Sequence, residues 1–526
     1  MLNIQRMMGR VWIGPSRISK RVIDMSSSYL SRELERRSIN TTKMKYKKDL
    51  HPIIEEEGVG RRAVDVLVMG GGVMGSALVY LLAKHTGIKK ITLLSENKEV
   101  EHNLIYHLDK TIHSGETDSN MDLHHSLRLL KYSNMLRNLV KGLPHGIGKE
   151  CIEKKTKILL GLGEEENSRI EARFDEFKHF FPKIRLIDAK EISKLEPKVA
   201  YLDNCLSKLR KETMIGILLQ DEYTAINYDL LSTVFKKLAD DISFRKKLKI
   251  ENYVNMNIKG IKRISSNGEI YYKVDSDEKS IYSRFLVIND IGSVFKLVRE
   301  LGYCSDWIVL NMFGKFQRTI KGGLRGVVSN IQSLSSPCST SVYGFPEINS
   351  SQNIRFLASS YTLPIISLLK FMNLGENKSA RDVSSSNFNL FRSIREKSLR
   401  NKIEKVKMKI PKLVSEQIMH GSSKIIPALN WNQLKDKQGD FDISINQLLD
   451  LSGEKSQTIL DHSKIHTDEN LILNISQPNS GTTCIGSASE DMITICNKLG
   501  ININESSLKI DVPEYEVHEN NFQNEM

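Results

Sequence analysis

From Val66 to Ala83 the chain runs 18 residues without a charge, between Asp65 and Lys84, with Gly70, Gly71 and Gly72 near its centre. That length fits a membrane-spanning helix, but each glycine costs a helix about 1 kcal/mol relative to alanine. A buried strand over Val64–Met69, a tight glycine turn and a helix from about Val73 to Lys84 account for every residue of the run. No other stretch is as long and as apolar. No transmembrane helix is therefore expected, and a peripheral membrane contact stays open.

The turn reads Gly70-Gly71-Gly72-Val73-Met74-Gly75, a G-x-G-x-x-G between strand and helix. In such a turn the first glycine allows the bend and the second lets backbone N–H groups approach a pyrophosphate. The third lets the helix pack close to the strand, and the helix N-terminus faces the phosphates with its partial positive charge. Gly70, Gly72, Val73, Met74 and Gly75 are thus candidate dinucleotide contacts. A second strand is predicted at Lys90–Leu94, and Glu96, 21 residues after Gly75, stands where an acid accepts hydrogen bonds from ribose hydroxyls. The competing reading is a glycine-rich turn in a core βα unit with no ligand. The fingerprint alone does not separate NAD from FAD.

Charge narrows the partners. The formal net charge is +13, but residues 1–48 hold 12 Lys and Arg against Asp24, Glu33 and Glu35. The remainder is close to neutral and carries no general electrostatic footprint for nucleic acid. The arm contains Arg6, Arg10, Arg17, Lys20 and Arg21 with several Ser, the composition of a mitochondrial transit peptide or of a disordered basic arm. Residues 1–55 are expected to lie outside the fold. The 6 cysteines show no C-x-x-C pair and no His partners at zinc spacing, so a reduced compartment and no structural metal are expected.

Two further segments carry a resemblance. One is Lys110-Thr-Ile-His-Ser-Gly-Glu-Thr-Asp-Ser-Asn120; the other is Leu471-Ile-Leu-Asn-Ile-Ser-Gln-Pro-Asn-Ser-Gly-Thr-Thr-Cys-Ile-Gly486. With the fingerprint they resemble the malate:quinone oxidoreductases, in the branch with a T-[IL]-H-x-G-[DE] segment. Phe181–Ile187, Glu191–Pro197, Tyr223–Leu231, Phe285–Ser293, Arg355-Phe356 and Leu363-Pro364 extend the likeness, in the right order, over most of residues 62–500.

The resemblance implies an α/β fold with a discontinuous Rossmann-like FAD-binding domain and a second, mixed-sheet substrate domain. It implies FAD, oxidation of L-malate by hydride transfer to the flavin, electron transfer to membrane quinone, and peripheral residence on the inner mitochondrial membrane. It also implies that Thr111, Gly115, Gly481, Thr482 and Thr483 join the cofactor contacts. The His-Gly-Asp-Pro of the family is here Tyr343-Gly344-Phe345-Pro346. A histidine is the natural base near neutral pH, whereas tyrosine titrates near pH 10. His113, Tyr343 and Arg355 are therefore the catalytic candidates, with Arg355 suited to clamp a carboxylate.

The expected organisation places the FAD domain at 61–130, 215–300 and 455–508, and the substrate domain at 131–214 and 301–454. Short strand-like runs such as Ile270–Val274 and Gly326–Ser329 suggest the substrate-domain sheet. A flexible insertion is expected at 373–408 and an acidic tail at 511–526. Besides an active malate enzyme, a flavin enzyme for another 2-hydroxy acid such as 2-hydroxyglutarate, or a non-catalytic flavin-binding relative, fits the altered 343–346 region.

Overall fold

The computed structural model describes residues 53–95, 110–118, 122–289, 291–304, 307–319, 324–331, 340–346, 354–360, 422–429, 441–450, 457–458, 464–474 and 480–513. The uncharged run resolves as the spacing predicts. Val64–Met69 is a strand, Val73–His85 a helix and Lys90–Ser95 the next strand, parallel to the first. The first strand is an almost unbroken apolar series because both faces of a parallel sheet are covered. Leu78, Leu81 and Leu82 of the helix are fully buried, and each contributes about 1.5–3 kcal/mol by leaving water. Among the described residues no helix is long and apolar enough to cross a membrane.

The first of two nine-stranded sheets is built around these strands. Lys249–Val254 extends it parallel on one side, and Ser280–Asn289 lies parallel on the other, followed by Leu471–Asn474. Ser280–Asn289 also ends an antiparallel meander with Ile258–Ser266 and Glu269–Ser276. The first hairpin of that meander turns through Asn267-Gly268, both at positive φ, the Asn-Gly pair that such tight turns select. The helices Tyr228–Lys246 and Ser480–Leu499 both pack on Val73–His85.

The second sheet runs Gln457–Thr458, Phe441–Asp450, Trp307–Thr319, Ile354–Ser360, Thr340–Pro346, Val327–Asn330, Lys157–Leu162, Met214–Leu219, Ile184–Asp188. Val327–Asn330 and Lys157–Leu162 pair parallel and the other neighbours antiparallel, which makes the sheet mixed. The helix Gly163–Phe177 covers part of one face, with Ile170 and Phe177 against Leu159 and Ile217.

Three boundaries differ from expectation. Ile54–Glu55, predicted to lie outside the fold, pairs with Ile264 and Ser265 at a sheet edge. Ile270–Val274 belongs to the first sheet, because the hairpin ties it to Ser280–Asn289, and Met214–Leu219 belongs to the second. Asp511, expected to open an acidic tail, ends a helix, with Oδ2 2.6 Å from Lys84 Nζ and 3.0 Å from His85 Nε2. The 373–408 insertion and residues beyond 513 lie outside the described residues.

Candidate functional site

The chain passes from the first strand outward to Lys90–Ser95 and Lys249–Val254, then returns to the opposite side at Ser280–Asn289. The point between Met69 and Asn289 is therefore a topological switch point, where open α/β sheets bind ligands beyond the strand ends. Gly70 stands there at φ +100°, and a Cβ on it would lie 3.0 Å from the Asn289 carbonyl oxygen. A Cβ on Gly75 would lie 1.9 Å from the carbonyl oxygen of Gly70. Gly72 precedes the helix in extended conformation with no side-chain cap, which leaves the first N–H groups of the helix to a ligand. Val73 is buried and Met74 half-buried behind them. This is the cradle that a pyrophosphate needs. Glu96, the expected ribose acceptor, lies outside the described residues, as does Asp290.

Two asparagines brace the switch point. Asn474 donates to Asn289 Oδ1 at 2.9 Å and to Asp491 Oδ2 at 2.6 Å, and Lys464 donates to Asp491 Oδ1 at 2.8 Å. The ends of two strands and the helix Ser480–Leu499 are so joined by buried polar contacts.

The segment 110–118 threads between this helix and the second sheet. Thr111 bridges Ala225, and Ile112 N–H donates to Thr224 O at 2.7 Å. Tyr228, at the start of its own helix, donates to Thr111 O at 3.0 Å; its oxygen lies 3.0 Å from Thr482 Oγ1, which in turn accepts from His113 N–H at 3.0 Å. Gly481 is required beside this chain, since a Cβ there would come within 2.6 Å of the Tyr228 ring. Thr483 is buried one residue on. Gly115 turns at φ +91° with Ser126 2.5 Å from its would-be Cβ.

His113 is buried, with Nδ1 2.6 Å from Asp118 Oδ1 and Nε2 3.3 Å from Thr111 Oγ1. A carboxylate only accepts, so Nδ1 carries the proton and Nε2 the lone pair. Asp118 Oδ2 accepts from Gly115 N–H at 3.0 Å, and Lys157 Nζ stands 3.8 Å from Oδ1. Burial works against the charge of Asp118, but Lys157, His113 and the Gly115 amide outweigh it and hold its carboxyl well below the usual range. Arg173 fixes the segment by donating to the carbonyls of Gly115, Glu116 and Asp118 at 2.8–3.0 Å, and Arg137 donates to Ser114 Oγ at 2.9 Å.

The second sheet brings the remaining candidates to the same side. Ser329 Oγ lies 3.4 Å from the Thr117 carbonyl, which turns its sheet face toward the histidine segment. Cross-strand partners share a face. Ser329 pairs with Tyr343, Tyr343 with Leu357, Phe345 with Arg355, and Arg355 with Arg318. Lys157, two residues before the Ser329 partner Leu159, lies on that face too. In register, Tyr343 stands opposite Ser329, and Arg355 stands opposite Phe345, two residues beyond Tyr343.

Sequence reasoning missed Asp118, Lys157, Arg137, Arg173 and Arg318. Asp118 sat inside the segment already singled out, and Lys157 opens the apolar run Ile158–Leu160, where a lone charge is a signal. One further group, Asp122 with His124 and His125, brings three ligand-type atoms within 4.8 Å. Asp122 also caps the helix Leu123–Lys141 by accepting from His125 N–H at 2.8 Å.

Comparison with known proteins agrees with this geometry. The family described as FAD dependent oxidoreductase matches residues 65–214. The malate:quinone oxidoreductase of Helicobacter pylori (strain ATCC 700392 / 26695) is 26% identical over 450 residues, 83% of this chain and 95% of that protein. A probable malate:quinone oxidoreductase of Campylobacter jejuni subsp. jejuni is 24% identical over 471 residues, 86% of this chain and 100% of the relative. In fold, the chain is similar to L-alpha-glycerophosphate oxidase from Mycoplasma pneumoniae with FAD bound (TM-score 0.53, 14% identity, 82% of this chain and 94% of that one). It is also similar to glycine oxidase from Geobacillus kaustophilus (TM-score 0.54, 12% identity, 83% and 95%). With relatives aligned along more than four-fifths of its length and a glycine cradle at the switch point of its first sheet, the chain is a FAD-dependent oxidoreductase similar to the malate:quinone oxidoreductases.

Proposed function

We propose that the chain binds FAD across the switch point of the first sheet and oxidises L-malate to oxaloacetate, passing electrons to quinone. The observation that carries the reading is the meeting of the His113 segment, the start of the helix Ser480–Leu499 and the Ser329 face of the second sheet. Gly70, Gly72, Val73, Met74 and Gly75 would hold the pyrophosphate and Glu96 the ribose. Thr111, Gly115, Gly481, Thr482 and Thr483 would line the flavin side. When bound, FAD accepts the hydride of the substrate C2 and hands the electrons to quinone.

The chain supplies the rest. His113 Nε2 takes the C2 hydroxyl proton, while the proton on Nδ1 stays there, donated to the Asp118 carboxylate. Arg355 and Arg318, adjacent across two strands, hold the carboxylates. Tyr343, standing where the family has histidine, shapes the pocket. The first sheet serves as cofactor domain and the second as substrate domain. The basic arm of residues 1–48 serves as a mitochondrial presequence, and the body docks peripherally on the inner membrane.

The test is the flavin absorbance spectrum, recorded without oxygen before and after adding L-malate. Bleaching of the flavin band supports the proposal. Bleaching by another 2-hydroxy acid but not by malate moves the substrate assignment to that acid, a reading favoured by Tyr343-Gly344-Phe345-Pro346. No bleaching by any 2-hydroxy acid leaves a non-catalytic flavoprotein.

A further inference from the structure

Lys157 is fully buried, and its ammonium has no hydrogen-bond partner among the described residues; the nearest opposite charge is Asp118 at 3.8 Å. An ammonium is costly to bury and is retained where its charge is used. Here it stands behind a carboxylate that itself stands behind an imidazole. We propose that Asp118 and Lys157 are a positioning pair that sets the proton affinity of His113 in opposite senses. Asp118 raises it and fixes the Nδ1–H tautomer, while Lys157 trims it so that Nε2 stays a base near neutral pH.

The proposal rests on the reading of His113 as the base for the hydroxy acid. In that step the C2 hydroxyl proton passes to Nε2 while the C2 hydrogen leaves with its electron pair to the flavin. The imidazolium formed is held between Asp118 and the substrate.

The charged and titratable groups around His113 come from every element packed on its segment. Asp118 and Glu116 lie on the segment itself, Lys157 on its strand, Arg173 on the helix Gly163–Phe177, Arg137 on the helix Leu123–Lys141 and Tyr228 on the helix it opens. Arg173 and Arg137 bond to carbonyls and to Ser114 Oγ, and Tyr228 to Thr111 O. Asp118 bonds to the imidazole, and Lys157 and His113 both face it.

The test uses full-length, FAD-loaded protein labelled with 15N at the imidazoles of its 13 histidines, with His113→Gln assigning the resonances of residue 113. Wild-type protein is expected to show a protonated Nδ1 and a pyridine-type Nε2. Lys157→Met is expected to move the His113 titration midpoint to higher pH, and Asp118→Asn to lower pH, each by about one pH unit. Lys157→Arg, which keeps the charge, leaves the midpoint in place, and Lys157→Gln serves where Lys157→Met does not fold. The acid limb of flavin reduction by L-malate moves in the same two directions. Midpoints that stay fixed, or that move the same way in both variants, overturn the proposal. Opposite NMR shifts in a protein whose flavin no hydroxy acid bleaches keep the positioning pair and remove the malate reading.

Discussion

His113 and Thr482, 369 residues apart in sequence, meet through a 3.0 Å hydrogen bond from the histidine N–H to the threonine hydroxyl. The bond closes a chain through Tyr228 to the Thr111 carbonyl, so the loop that carries the base is hung from the helix that closes the cofactor sheet. Replacing Thr482 by Val leaves a buried N–H without its acceptor, at a cost of about 1–3 kcal/mol. The melting temperature of FAD-loaded protein is expected to fall by a few degrees, and Thr482→Ser to restore it. An unchanged melting curve in Thr482→Val would show that the bond carries no stability.

Gly75 is the tightest point of the cradle. Gly75→Ala would set a methyl 1.9 Å from the Gly70 carbonyl oxygen, closer than any non-bonded contact allows, and backbone cannot yield as a side chain does. The variant is expected to purify without flavin. Absorbance at 280 nm against the flavin band measures this, with circular dichroism reporting whether the fold survives.

Arg318 and Arg355 stand opposite one another in register. With both serving the substrate carboxylates, Arg318→Gln is expected to raise KM for malate about tenfold or more, the loss expected for a charged hydrogen bond. A variant that keeps its KM would remove Arg318 from the substrate.

Glu196 sets a limit in pH. It is buried, and it accepts from the N–H groups of Arg325 and Gly326. Burial pushes its carboxyl up to about 7, although those two amides and the Arg325 charge pull the other way. An acid whose pKa is higher folded than unfolded binds more protons in the folded state, so stability falls as pH rises. Full stability is present below the unfolded carboxylate pKa of about 4.3, and it is lost progressively as pH passes through 7. Denaturant midpoints at pH 5 and pH 8.5 are expected to differ in that sense, and Glu196→Gln to flatten the difference.

The cofactor turn was legible because local physics and global fold agree there: three glycines forbid a continuous helix, and one strand and one helix exhaust the residues on either side. The second strand was legible for the same reason. The parts left unread depend on distance. Asp118 lay within the segment recognised, but its meaning required Lys157, which a strand 39 positions later supplies. Ile270–Val274 alternates like any half-buried strand, and only the Asn267-Gly268 hairpin assigns it to the first sheet. Arg318 carried no motif; register across the strand Ile354–Ser360 pairs it with Arg355.

The strand Leu471–Asn474 and the helix Ser480–Leu499 complete a sheet begun four hundred residues earlier, and Asp511 fastens His85 and Lys84 of its first helix. During synthesis the amino-terminal βα unit must therefore wait, partly uncovered, until the ribosome releases almost the whole polypeptide. Truncation near the carboxyl terminus thus damages the part of the molecule made first.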